Sequence, residues 1–133
     1  MSKKALIITD GTDSIQSIAR LISEALAGFE VKICSGDEFD GTDLLACEIF
    51  FLGCKKPKPS SFSYLEKMLS HINFASRKCG IFSVKEKTLK YLVKIIKDCE
   101  VDYGSPLYVK SKKVPKPALN KWAAGITAHP AVK

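Results

Sequence analysis

Hydrophobic positions along the chain switch between two periodicities, and the switches mark out the elements. Ala5 to Ile8 is an unbroken apolar run, the pattern of a strand covered on both faces. The stretch Thr9-Asp10-Gly11-Thr12-Asp13-Ser14 interrupts it with turn-forming residues. Ile15, Ile18, Ala19, Ile22, Ala25 and Leu26 then recur at helical spacing, with Asp13 or Ser14 placed to cap the helix and Gly28 to end it. Glu30 to Cys34 reads as a second strand. Residues 4–34 thus form a strand–helix–strand unit, whose crossover implies parallel pairing and a right-handed connection.

The alternation continues to the end of the chain. Ile49 to Leu52, closed by Gly53, is a third buried strand, and the basic loop Cys54-Lys55-Lys56-Pro57-Lys58-Pro59 follows it. Leu65, Met68, Leu69 and Ile72 mark a helix, Lys78 to Val84 a fourth strand, and Leu89, Leu92, Val93 and Ile96 another helix. Pro106 to Val109 predicts a fifth strand. Beyond a Lys/Pro connector at 110–117, Leu119, Trp122, Ala123 and Ile126 predict a closing helix, and residues 129–133 read as a frayed tail. The whole of 1–133 is one domain. Strands alternating with helices predict an α/β fold, a three-layer α/β/α sandwich around a five-stranded parallel sheet in the order 2-1-3-4-5. Any ligand then sits at the carboxyl ends of strands 1 and 3, where the winding reverses. The segments to inspect are Thr9 to Ser14, Cys54 to Tyr64 and Ser83 to Thr88.

Composition narrows the class without changing the fold. With 133 residues, 46% hydrophobic and 26% charged, the chain reads as an ordinary globular domain rather than a disordered or fibrous one. Its apolar runs fall far short of the roughly 18 residues a membrane span needs. The start Met1-Ser2-Lys3-Lys4 leads into too short an apolar segment for a signal peptide. Five cysteines without a C-x-x-C pair, and only His71 and His129 beside them, offer no zinc spacing and suit a reducing compartment. A cytoplasmic protein is expected.

Charge is distributed unevenly. The net charge is +7, yet residues 1–66 hold seven basic and ten acidic residues, against fourteen and four in residues 67–133. Lys87, Lys90, Lys94 and Lys97 line the solvent side of one predicted helix and need no ligand. Only Arg20 and Arg77 are arginines, whereas nucleic-acid readers lean on bidentate Arg contacts, so nucleic acid is not the expected partner. Lys55, Lys56 and Lys58, in contrast, stand at the predicted ligand edge, where they would steer an acidic partner or an anionic ligand.

The first loop carries the candidate chemistry. Thr9, Thr12 and Ser14 supply hydroxyls, and the helix start supplies free N–H groups and a dipole that favour an anion such as a phosphate monoester. Asp10 and Asp13 set two negative charges beside that cup. A capped helix start with no ligand is the alternative reading. Cys54, beside Lys55 and Lys56, is a candidate reactive thiol or else an ordinary strand-end cysteine.

With Lys4 to Asp10 as first strand, Ile49 to Gly53 as third and Trp122 in the closing helix, the chain resembles the flavodoxin-like family over nearly its whole length. Members carry a first-loop pattern [ST]-x-T-G-[NT]-[ST] that wraps the phosphate of FMN. Thr9 and Ser14 match its outer hydroxyls, Gly11 and Thr12 reverse its Thr-Gly order, and Asp13 replaces an uncharged residue. The resemblance implies FMN bound through Thr9, Asp10, Gly11, Thr12, Asp13 and Ser14, with Phe62 or Tyr64 against the ring. It implies a flavoprotein of electron transfer, a carrier more than a catalyst. The loop after strand 4 is shorter than the family's, and the lysine triplet stands where electron-shuttling flavodoxins are acidic. The alternative is a flavin-free interaction module that uses this basic edge, with a phosphate-ester binder or enzyme behind it.

Other chemistries on this architecture lack their residues. Gly53-Cys54 stands where a receiver domain needs an aspartate, and no cysteine is followed closely by an arginine as in a phosphatase loop. Gly11 alone does not make a dinucleotide fingerprint, and no Ser-His-Asp set is visible.

Overall fold

A computed structural model describes residues 3–74, 77–97, 99–110 and 116–128. The expected tail at 129–133 and most of the Lys/Pro connector lie outside them. The elements run β1 (Lys3–Thr9), α1 (Asp13–Ala25), β2 (Phe29–Ser35), α2 (Gly41–Ala46), β3 (Ile49–Gly53), a 3₁₀ turn (Ser60–Phe62), α3 (Ser63–His71), β4 (Lys78–Ser83), α4 (Glu86–Lys97), β5 (Asp102–Tyr103), β6 (Leu107–Tyr108) and α5 (Lys116–Ala128). All pairings are parallel, in the order β2-β1-β3-β4-β5, with β6 also on β4. The expected strand order is present.

The unbroken apolar runs are explained by the two layers they face. Leu6 and Ile8 of β1 and Phe50 and Leu52 of β3 enter a cluster with α2, α3 and α4, through Leu44, Leu65, Leu69, Leu92 and Ile96. Their neighbours Ala5, Ile7, Ile49 and Phe51 enter a second cluster with α1 and α5, through Ile15, Ile18, Ile22, Leu119 and Ile126. Successive side chains point to opposite faces of a sheet, so a central strand must be apolar at every position. Each fully buried isoleucine of α1 contributes about 2 kcal/mol. At the β2 edge burial alternates instead, and exposed Lys32 pairs with Asp43 of α2 at 2.6 Å.

Two features depart from the sequence expectation. The short helix α2 begins with the Asp40 carboxylate accepting the Thr42 N–H at 2.9 Å. Leu44 is the one buried position within α2, with Phe39 before it and Cys47 after it, too few to register as a period. The fifth strand is split. Lys78 lies opposite Asp102 but Phe82 lies opposite Leu107, so the edge chain carries one residue more than β4 between these points. The interruption contains Pro106, which has no N–H for the ladder. Trp122 of α5 secures it, donating from Nε1 to the Ser105 carbonyl at 2.7 Å while its ring packs on Phe51 at 5.7 Å. No helix among the described residues is long and apolar enough to cross a membrane.

Candidate functional site

The switch point is built by three loops converging on the carboxyl ends of β1, β3 and β4. Thr9 and Gly53 are register partners, and the chain leaves them towards helices on opposite faces. Thr9 is fully buried. Its hydroxyl donates to Gln16 Oε1 at 3.0 Å and accepts the Gly11 N–H at 3.2 Å. Gly11 adopts φ +82°, a left-handed conformation that a side chain enters only at a cost of about 1 kcal/mol or more.

Asp10 clasps the first two loops together. Its Oδ1 accepts from the Thr12 N–H at 3.1 Å and the Thr12 hydroxyl at 2.7 Å, while Oδ2 accepts the Lys55 N–H at 2.8 Å. The helix start therefore differs from the expected one. Thr12, not Asp13 or Ser14, is the N-cap residue, and its hydroxyl turns to Asp10 instead of capping. The first-turn N–H groups of a helix have no partner within it, and the side chain of Thr12 supplies none here. Beside them, Ser14 Oγ is buried without a hydrogen-bond partner. Asp13 lies in the same turn with its side chain exposed.

The loops after β3 and β4 are fastened to each other by two fully buried hydroxyls. Ser83 Oγ donates to the Cys54 carbonyl at 2.7 Å, and Thr88 Oγ1 donates to the Lys55 carbonyl at 2.8 Å. Ser83 Oγ also accepts the Lys85 N–H at 3.2 Å, which shapes the short entry into α4. Lys55, Lys56, Lys58 and Lys85 are all exposed around this junction. Cys54 is not: its thiol is buried, and burial first, with the Asp10 carboxylate adding, holds its pKa well above the ordinary value. Of the two readings of Cys54, this burial supports the ordinary strand-end cysteine over the reactive thiol.

The β3 loop then folds back over β2. The Gly36 N–H donates to the Thr9 carbonyl at 2.9 Å, and a Cβ at Gly36 would collide with the Ser61 carbonyl and the Phe62 ring. That contact seats Phe62 in the core, with no exposed surface. Phe62 thus has no face to offer a ring. Tyr64, the other aromatic candidate, is 57% exposed and stacks on Phe39 with centroids 5.4 Å apart.

Of the expected site residues, then, Thr9 to Ser14 form one loop, Tyr64 stands exposed on the first turn of α3, and Phe62 is structural. The residues that close the site from the far side, Gly36, Ser83 and Thr88, are not among those picked from the sequence. Ser83 and Thr88 bound the third predicted switch-point loop, but nothing local in the sequence says where their hydroxyls donate.

No protein-family model matches the chain, and no curated protein matches it in sequence. Solved structures do match it over almost its full length. A flavodoxin of Streptococcus pneumoniae TIGR4 has a TM-score of 0.81 at 15% identity, covering 96% of this chain and 99% of that one. A short-chain flavodoxin associated with a non-canonical PDU bacterial microcompartment has a TM-score of 0.78 at 14% identity, covering 96% and 97%. Oxidised flavodoxin 2 of Bacillus cereus has a TM-score of 0.76 at 18% identity, covering 93% and 97%. The chain has a flavodoxin-like fold.

Proposed function

We propose that the switch-point loop binds the phosphate of FMN and that the protein serves electron transfer as a carrier. The observation that carries this reading is Ser14 Oγ, buried without a partner at a helix start whose N-cap gives no side-chain bond. A buried hydroxyl left unpaired costs about 1–3 kcal/mol, and a phosphate oxygen at this helix start would satisfy it. Ser14 and the first-turn N–H groups hold the phosphate, Gly11 supplies the turn, and Tyr64 is the aromatic face available to a ring. FMN, when bound, supplies the redox chemistry. The chain supplies the anion site and the charges around it.

The donor set fits the phosphate through α1 rather than through the whole loop. The Thr9 and Thr12 hydroxyls and the Gly11 and Thr12 N–H groups are already bonded within the protein. FMN should quench its fluorescence on addition of the protein and raise the melting temperature. At about a hundredfold excess over Kd the native state gains about 2.7 kcal/mol. Riboflavin, which lacks the phosphate, should bind at least about tenfold more weakly if the cup does the holding. A melting temperature unmoved by saturating FMN, with no quenching, overturns the reading.

A further inference from the structure

We propose that the carboxyl edge of β3, β4 and β6 is a docking surface for an acidic protein. Five exposed lysines come to this edge from three separate places in the chain: Lys55, Lys56 and Lys58 after β3, Lys85 after β4 and Lys110 after β6. The hydrogen bonds make the three places one surface. Ser83 donates to the Cys54 carbonyl and Thr88 to the Lys55 carbonyl, while the Ser83 carbonyl accepts the Val109 N–H at 2.9 Å. The lysines thus stand on a backbone fixed from beneath by fully buried groups. Preorganisation of this kind lowers the ordering cost of binding.

Among the described residues Lys32 pairs with Asp43, away from this edge, and none of the five lysines is seen in an ion pair with another described residue. At the other end of the same edge, after β2, the exposed side chains are Asp37 and Glu38. The edge is therefore polarised, basic over β3, β4 and β6 and acidic over β2. A nucleic-acid strand running along it would meet those carboxylates, and the surface offers lysines rather than the arginines that read phosphates and bases bidentately. A folded acidic surface that covers only the basic half meets neither objection. This surface stands whether or not the neighbouring cup holds FMN.

The test uses the full chain with two labelled probes, a polyglutamate peptide and a DNA duplex of equal charge. Two triple variants carry the same change in net charge. K55E/K56E/K58E alters the edge, and K90E/K94E/K97E alters exposed positions on α4. Thermal melts establish that both fold. At about 50 mM salt the edge variant should lose polyglutamate affinity by about tenfold or more, and the α4 variant by less than about twofold. Equal losses in the two variants, no binding of polyglutamate by the wild type, or tighter edge-dependent binding of DNA would each overturn the proposal.

Discussion

Asp10 and Ser14 have opposite claims on an anion, and single substitutions separate them. Ser14→Ala removes the one unpaired buried hydroxyl described at the loop. FMN affinity should fall about tenfold, about 1.4 kcal/mol. Folding stability should stay level or rise by up to about 1 kcal/mol, because an unsatisfied group has been removed. A structural role for Ser14 would move both quantities down. Asp10→Asn does the reverse. Asp10 holds Thr12 and Lys55 through charge-assisted bonds, so stability should drop by about 1 kcal/mol in denaturant titrations. FMN affinity should rise, since one negative charge beside the phosphate is gone. The hydroxyl and acid content of this loop is plain in the sequence. The direction in which Asp10 points is not, because its partner lies 45 residues away.

At the level of elements, the backbone crossing over β2 is held by an absence of side chain. Gly36→Ala would drive a methyl into the Ser61 carbonyl and the Phe62 ring, and backbone cannot move aside as a flexible side chain can. A loss of about 2–3 kcal/mol is expected at an unchanged denaturant slope. Thr88→Val tests the other closure. It keeps the shape and leaves the Lys55 carbonyl without its buried donor, for a loss of about 1–2 kcal/mol. The strands β1, β3 and β4 and the helices α1, α3 and α4 were legible because their burial repeats with a local period. Phe62 shows the limit of such legibility. Its position before Ser63 and Tyr64 suits either a ring-stacking residue or a first-turn anchor, and only the contact with Gly36 and the core decides for the anchor.

For the whole molecule, buried acids set how stability depends on pH. Burial pushes the Cys34 and Cys47 thiols up to about 11 from 9.0, and holds Cys54 and Cys79 high as well. Tyr91 is raised by burial and by its 2.6 Å hydrogen bond to Glu66. These groups are raised in the folded state, so their contribution is fully present below the ordinary thiol value of 9.0. It is lost as pH rises through the folded values, since the unfolded chain gives up its protons first. Denaturant midpoints should be flat from about pH 7 to 8.5 and fall steadily from about pH 9 to 11. A midpoint unchanged at the alkaline end would contradict the burial of these groups.

Local periodicity determined which segments are central strands and which faces of the helices are covered, because a central parallel strand must be apolar on both sides and a covering helix on one. The residues of the candidate loop were also visible, as a polar interruption between a buried strand and a helix. Tertiary structure alone decided what that loop does with its groups. Asp10 reaches the Lys55 backbone, Ser83 and Thr88 pin the neighbouring loop, and Ser14 is left unpaired. It also joined Lys85 and Lys110 to the lysine triplet, three segments far apart in the chain that meet at the sheet edge. A hydrogen bond or a charged surface depends on which distant segments a sheet lays side by side, and no window of the sequence contains both partners.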